Sequence, residues 1–447
     1  MHIQELNGKT VCILGFGREG RAMLQALEEM APEAEVTIAD ADPALAVDAG
    51  KHGTQMGSHW LQNLDTFDVV IKSPGIPPSA LAGINRPYAT ATQVFFDSIA
   101  QSGTTVVGVT GSKGKSTTAS LIHHILQTGN GKPETRNILI GNIGEPAIAH
   151  LADAAKGTIF VMELSSYQLM DLTVSPHIAV ITSFFPEHLD YHGSLEAYAE
   201  AKKNIVRFQG EEDIVVFAAE GHAAEIAKEG NGRKMPIEAE DAPVPVAETH
   251  LIGAHNQSNI ALAFAVAKLL GIKEELASTA IRTFRGLPHR LQSLGVQGGI
   301  EWVDDAISTT PESTIAALDA LGDRVHTIIL GGQDRGSDFT QLAKRIKESS
   351  ITTVLLFPGS GPRIKQALED AKVEATLQDA SSMEEAVAFA QSHSVSSSQV
   401  ENHVSSSEVE NPIVLLSTAS PSYGMFKNFE EKGTIFARCI EKMAQER

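Results

Sequence analysis

The chain is poor in everything that would place it outside ordinary globular chemistry. It has only two cysteines in 447 residues, Cys12 in an apolar strand-like run and Cys439 near the end, and these read as packed thiols rather than a disulfide. No apolar run reaches the ~18 residues needed to cross a bilayer, so no membrane partner is expected. The opening Met1–Lys9 stretch lacks the charged and apolar regions of a signal peptide, and a cytoplasmic protein is expected. There is no basic excess either. A formal net charge of −20 argues against nucleic acid as a partner, because a phosphate backbone demands a basic face. A nucleotide needs only a local cluster and stays possible.

What is present is length and glycine punctuation. A chain of 447 residues exceeds one ordinary core and suggests about three domains at ~150 residues each. The most informative stretch is Val106 to Thr118, where four apolar residues run into Gly111, Ser112, Lys113, Gly114, Lys115, Ser116 and Thr117. A strand, a glycine loop and a helix N-terminus form a polyphosphate cradle, with lysine for the terminal phosphates and a hydroxyl for Mg²⁺. The spacing is a variant, since Val109 stands where the usual pattern has its first glycine.

Upstream, the strand Lys9–Leu14 leads into Gly15, Gly17 and Gly20, and a second strand ends at Asp40. Glycines so spaced, with an acid ~20 residues on, make the Rossmann dinucleotide pattern. Alone it would point to an NAD-dependent oxidoreductase. A further strand ends in Pro74-Gly75-Ile-Pro-Pro78, a loop at the carboxyl edge of a sheet, where ligands of α/β folds bind. The first domain closes near Asp97.

Downstream, Glu163 ends one strand and precedes Ser165 and Gln168, and another strand leads to Glu187-His188-Leu-Asp190. His123 and His124 on the intervening helix read as surface or packing residues. On the predicted helix Ser194–Phe208, Lys202 has Leu195, Tyr198, Ala199, Ile205 and Val206 at three and four residues, whereas Lys203 has Glu200 and Arg207. Burial would favour the neutral amine of Lys202; spacing alone equally suits a lysine that snorkels to water. Gly286 to Arg290 reads as a hinge into a third unit of alternating strands and helices. Within it, a near-repeat at 395–411 (Val-Ser-Ser-Ser twice) reads as a flexible polar insertion.

These motifs resemble the Mur ligases of peptidoglycan synthesis. The resemblance rests on Gly-Val-Thr-Gly-Ser-Lys-Gly-Lys-Ser-Thr-Thr, Glu163-Leu-Ser-Ser-Tyr-Gln-Leu, Glu187-His-Leu-Asp, Gly253-Ala-His-Asn-Gln-Ser-Asn, Leu287-Pro-His-Arg and Phe426-Lys-Asn-Phe-Glu-Glu-Lys-Gly. It implies an α/β protein of three domains: a Rossmann-like domain for a UDP substrate (1–97), a central P-loop ATPase-type domain (98–286) and a doubly wound C-terminal domain (287–447). The last motif favours the D-glutamate-adding branch, implying UDP-N-acetylmuramoyl-L-alanine, D-glutamate and ATP as small-molecule substrates of a monomer. Lys115 would hold the β/γ-phosphates within a loop of Gly111, Ser112, Lys113 and Gly114, with Thr117 near them. Ser116 and Glu163 would serve one Mg²⁺, and His188 with Lys202 as an N-carboxylysine a second. Asn256, Asn259, His289, Arg290 and Asp305 match nucleotide contacts. Arg335, Ser422, Lys427 and Phe429 match the region that receives D-glutamate. Arg18, Glu19, Asp40, Gly75, Asn142, Ser165 and Gln168 fall where the UDP substrate lies. Two residues depart from the family pattern: Ile307 and Arg335 stand where many relatives have lysine.

Overall fold

The computed structural model describes residues 1–81, 87–129, 136–398 and 411–445. Three sheets follow one another along the chain. The first holds β1 (Thr10–Leu14), β2 (Glu35–Asp40), β3 (Gly53–Met56), β4 (Val69–Lys72) and β5 (Tyr88–Ala89), all parallel in the order β3-β2-β1-β4-β5. The second holds β6 (Thr105–Thr110), β7 (Asn137–Gly141), β8 (Ile159–Glu163), β9 (Ile178–Ile181), β10 (Ile214–Ala218) and β11 (Arg233–Ile237), again all parallel, in the order β11-β10-β9-β6-β8-β7. Strands covered on both faces must be apolar throughout rather than alternating. Val11 to Leu14 and Val106, Val107 and Val109 are fully buried accordingly.

The third sheet contains β12 (Gln292–Gln297), β13 (Ile300–Asp304), β14 (Val325–Gly332), β15 (Thr353–Gly359), β16 (Thr376–Asp379) and β17 (Ile413–Leu416), ordered β12-β13-β17-β14-β15-β16. Its two faces bury different residues of the same strands. Leu330, Val354, Leu356, Ile413 and Leu415 lie in one cluster, and Ile329, Leu355, Phe357, Val414 and Leu416 in the other with Trp302 and Phe436. That is the doubly wound α/β arrangement the sequence implied. One strand is additional: β12 pairs antiparallel with β13. The hairpin between them turns on Gly298 and Gly299, both at positive φ (64° and 79°), as a two-residue turn requires.

The chain forms two compact units, one of Met1–Pro245 with His255–Arg282, the other of Val246–Ala254 with Thr283–Arg447. The first two sheets share the first unit. The polar near-repeat expected at 395–411 begins on the end of the helix Met383–Ser398, and 399–410 lie outside the described residues. Both cysteines are buried free thiols, with Cys12 pushed up to about 12 by burial. Among the described residues no helix is long and apolar enough to cross a membrane.

Candidate active site

The phosphate-type loop sits at the middle of the second sheet, because β6 lies between β8 and β9. Its shape depends on glycine. Gly111 (φ +154°) and Gly114 (φ +85°) adopt conformations closed to most residues, and a Cβ on Gly114 would fall 2.4 Å from Asn259 Oδ1. Residues just past β9 hold the loop from the side. Ser183 Oγ accepts from Lys113 N (2.9 Å), and Ser112 Oγ donates to Phe185 O (2.8 Å). The helix Lys115–Gly129 then starts with Ser116 and Thr117 in its first turn, both largely buried. Lys115 Nζ folds back onto Ser112 O at 2.7 Å, within the ring of the loop. Asn259 accepts from Thr118 Oγ1 (3.2 Å) and donates to Asn256 Oδ1 (2.8 Å), which brings both expected nucleotide-contacting asparagines beside this loop.

Beside the loop, Glu163 ends β8 in register with Val109 of β6. Its carboxylate is 1% exposed. Oε1 accepts from Asn142 Nδ2 (3.0 Å), while Oε2 is buried without a hydrogen-bond partner among the described residues. An orphaned anionic oxygen at a strand end is costly unless a cation or water completes it. Lys202 is also 1% exposed, so the snorkelling that spacing allowed does not occur. The stripe of Tyr198, Ile205 and Val206 is buried to the last atom, and the chain has no room to lift the ammonium to water. Lys202 Nζ donates to Gly111 O (2.8 Å) and lies 4.8 Å from the Tyr198 ring centroid. Desolvation, with the charge of Lys115 second, holds this amine well below the ordinary lysine range, against the pull of Glu187 and Glu163. Lys203 takes the opposite course, pairing with Glu200 at 2.7 Å on a wet face.

His188 sits at φ +55° with its ring 5.4 Å from Tyr167 and 6.2 Å from Tyr198, and its side chain is 43% exposed. Among the described residues no cluster of three or more His, Cys, Asp or Glu side chains is assembled to hold a metal. A hard cation such as Mg²⁺ needs no such cage, taking one or two protein oxygens plus phosphate oxygens and water. The Glu163 carboxylate and Ser116 hydroxyl fit that demand. Tyr198 was not singled out by the sequence, yet its OH is 3.2 Å from Ser112 Oγ. The apolar stripe around Lys202 already contained it. His123 and His124 pack as expected, with burial lowering both below the usual histidine range.

At the edge of the first sheet the glycine fingerprint is a packing device. A Cβ on Gly20 would lie 2.2 Å from Gly15 O. Asp40 accepts from two backbone amides, Oδ2 from Phe16 N (2.6 Å) and Oδ1 from Asp42 N (2.9 Å), and so shapes the turn. Arg18 donates to Gly144 O. Gln168 Nε2 donates to Glu19 Oε1 (2.9 Å), whose carboxyl is pushed up by burial, while its Oε1 completes a capping box with Ser165. Glu19, Gln168 and Ser165 are thereby joined across the first two sheets, and Arg18 makes a second link at Gly144; Asn142 bonds Glu163 instead. Gly75 is open, with nothing within 4 Å of a built Cβ.

The second unit gathers its own polar cluster at the carboxyl end of the third sheet. His289 Nδ1 is 2.7 Å from Asp304 Oδ2. Asp305 is 2% exposed and accepts from Ser417 Oγ (2.8 Å) and Leu291 N (3.2 Å); burial raises it to about 6, Arg290 pulling the other way. Lys432, not singled out beforehand, is 1% exposed with Nζ donating to Thr418 Oγ1 (2.6 Å), and burial lowers it to about 8 against the pull of Asp304 and Asp305. Its signal was the one that marks Lys202, apolar neighbours (Phe429, Ile435, Phe436) at helical spacing. Gln333 N donates to Pro421 O (2.8 Å), which ties the loop carrying Arg335 to the loop carrying Ser422. Ser422 Oγ is buried without a partner among the described residues; Arg335 Nε donates to Gln333 Oε1 (3.1 Å). Phe429 lies 6.2 Å from the His289 ring, and the Lys427 backbone N donates to Glu431 (2.5 Å).

A glycine loop between strand and helix, flanked by a strand-end carboxylate and a dry lysine, defines an α/β enzyme of the P-loop class. Comparison with known proteins narrows this. Residues 109–241 match the Mur ligase middle domain, and residues 289–400 the Mur ligase glutamate ligase domain. A UDP-N-acetylmuramoyl-L-alanine--L-glutamate ligase of Salinispora tropica is 35% identical over 99% of this chain and 100% of its own. One of the same name from Xanthomonas oryzae pv. oryzae is 32% identical over 98% and 96%. Among solved structures, the UDP-N-acetylmuramate-alanine ligase of Thermotoga maritima aligns at a TM-score of 0.57 with 18% identity, covering 98% of this chain and 100% of that one. The MurF ligase of the same organism, in complex with ADP, aligns at 0.55 with 15% identity, covering 99% and 97%. The chain belongs to the Mur ligase family, ATP-dependent ligases that build amide bonds into peptidoglycan precursors.

Proposed function

We propose that the chain joins UDP-N-acetylmuramoyl-L-alanine to glutamate at the expense of ATP. The observation that carries this is the juxtaposition of the glycine loop, the orphaned Glu163 carboxylate and the desolvated Lys202 amine at the end of one sheet. The sequence resemblance pointed to D-glutamate, whereas the relatives above are named for L-glutamate, and the proposal takes L-glutamate as the amino acid.

The substrate carboxylate is phosphorylated by ATP, and the glutamate amine attacks the acyl phosphate to give amide, ADP and phosphate. Two unit charges ~4 Å apart repel by about 4 kcal/mol at an effective dielectric near 20, so carboxylate and γ-phosphate need cations between them. Lys115 and the backbone of residues 111–114 supply part of that charge. Ser116 and Glu163 would hold one Mg²⁺, and His188 with Lys202 a second, Lys202 as its N-carboxylate. When bound, the metal neutralises charge on the transferring phosphoryl group. Burial of Lys202 favours the neutral amine on which a carbamate depends. Asn256, Asn259, His289, Arg290 and Asp305 contact the nucleotide. Arg335, Ser422, Lys427 and Phe429 receive glutamate, the guanidinium suiting a bidentate carboxylate contact. Arg18, Glu19, Asp40, Gly75, Asn142, Ser165 and Gln168 line the UDP substrate, with Asp40 acting through the turn it shapes.

The test is ATP-dependent phosphate release with UDP-N-acetylmuramoyl-L-alanine and, in turn, L-glutamate, D-glutamate, L-alanine and a diamino acid. Turnover with L-glutamate is expected. Turnover with D-glutamate alone would restore the stereochemistry of the sequence resemblance, and turnover with only the other two would overturn the assignment of glutamate.

A further inference from the structure

Strand β4 ends in an anomaly. Val69, Val70 and Ile71 are buried and apolar, and the next residue, Lys72, is buried just as deeply with its side chain at 0% exposure. Removing an ammonium from water costs several kcal/mol unless it is fully partnered, and an apolar residue of similar size commonly serves stability as well or better. Lys72 has two partners. Its Nζ is 2.8 Å from Asp171 Oδ2, in the segment that follows the helix Ser166–Leu169, and donates at 2.9 Å to Ile76 O. Asp171 is itself only 7% exposed.

Ile76 O belongs to the loop that leaves β4. Pro74 O of that loop is also held, by Tyr191 Oη at 3.0 Å. Burial, with Asp171 second, pushes the Tyr191 hydroxyl up to about 12, so it stays a donor at any working pH. The loop carries Pro74 and Pro77, which offer no N–H of their own, and it is pinned through two carbonyls by two side-chain donors. Between the pins Gly75 remains open, with nothing within 4 Å of a built Cβ. Tyr191 leads on to the phosphate-loop side of the unit. Its backbone N donates to His188 O (3.2 Å), and its ring packs 4.3 Å from Tyr167, which lies 5.4 Å from the His188 ring.

We propose that Lys72, Asp171 and Tyr191 form a latch that holds the 73–77 loop in its sugar-nucleotide-binding shape and ties it to the segment carrying His188; this rests on the reading of the chain as a UDP-N-acetylmuramoyl-L-alanine ligase. All three are positioning residues. They touch the loop and its neighbours, and the loop touches the substrate. The latch makes the register of the UDP group depend on the segment that bears His188.

The experiment uses the full chain as Tyr191→Phe and as Lys72→Met/Asp171→Asn, the double variant removing both charges together so that neither is stranded. Amide hydrogen exchange of the free proteins is read first. Exchange at 73–76 is expected to rise about tenfold or more in both variants, with a smaller rise at 188–192 and none at 111–118. Unchanged exchange at 73–76 in both overturns the latch, whatever the substrate is. Steady-state kinetics follow. The KM for UDP-N-acetylmuramoyl-L-alanine is expected to rise about 3–10-fold in Tyr191→Phe, the range for one lost hydrogen bond, and further in the double variant, with kcat and the KM for ATP unchanged. An equal rise in both KM values, or none, overturns the positioning role. A wild-type chain that fails to turn over this acid defeats the functional reading alone, and the exchange result still decides the latch.

Discussion

Replacing Asp305 by asparagine should stabilise the second unit near neutral pH while impairing turnover. A buried carboxyl raised from 3.8 to about 6 binds its proton more tightly folded than unfolded. Its contribution to stability is present below the unfolded value and is lost as pH rises through about 6. At 1.36 kcal/mol per pH unit, the move from 3.8 to about 6 corresponds to about 3 kcal/mol of burden at pH 7.5. The asparagine side chain removes the charge but turns one acceptor into a donor, so the contacts from Ser308, Ser417 and Leu291 N cannot all keep their sense. A lost neutral hydrogen bond offsets about 1 kcal/mol. The expected net gain at pH 7.5 is about 1–2 kcal/mol, shrinking and then reversing as pH falls toward 4. Urea unfolding in a Trp60→Phe background checks it, because Trp302, fully buried beside the third sheet, then reports on this unit. A variant less stable than its parent at pH 7.5, or a difference unmoved between pH 7.5 and 5, would refute the reasoning.

Three further outcomes follow from the same geometry. Lys202→Met should abolish turnover (more than about 100-fold) while urea unfolding changes by no more than about 1 kcal/mol, because a similar apolar volume replaces a desolvated amine; Lys203→Met, which breaks only surface ion pairs with Glu200 and Glu229, should leave turnover within about twofold. Gly114→Ala forces φ +85° on a residue with a Cβ and drives it into Asn259, so a loss of about 2–3 kcal/mol in thermal unfolding and a KM for ATP raised at least about tenfold are expected. Arg335→Lys keeps the charge but gives up the bidentate fork, and in initial-rate assays should raise the KM for glutamate about tenfold with the KM for ATP unchanged.

Most of the first unit was legible because its signals are local. A run of apolar residues ending in glycine fixes a buried parallel strand and its loop, and helical spacing separated Lys202 from Lys203 correctly. Spacing could not say whether the Lys202 ammonium reaches water, since that depends on what covers the stripe, and Tyr198 and Ile205 prove to be sealed in. Asp40 follows the dinucleotide pattern, and what spacing could not show is that its two oxygens also accept from the backbone amides of Phe16 and Asp42. Lys72 escaped because a lysine at the end of a strand ordinarily reaches solvent, and its partner Asp171 lies 99 residues away with no spacing to betray it. The hairpin at Gly298-Gly299 was readable from its dipeptide and went unread because β12 is only half-buried and carries no apolar run.

Ile307 brings no cation to the loop that follows two adjacent aspartates. In this chain a cation still faces Asp304 and Asp305, from the helix Phe429–Gln445, where Lys432 is buried against Thr418. Two buried carboxylates next to one another repel, and His289 answers only Asp304. Lys432 therefore brings positive charge to both, at the cost of its own desolvation. The sign is opposite to that of Asp305. With its value lowered from 10.5 to about 8, the unfolded chain holds a proton between those limits that the folded chain has released, so stability rises as pH rises through that window, by about 3 kcal/mol in all. Lys432→Met lacks that rise. Relative to the variant, the parent should gain stability between pH 8 and 10 in the same Trp302 assay. A difference that stays flat from pH 7 to 10 would mean that Lys432 keeps its proton in the folded chain as it does in the unfolded one, and that burial does not lower it.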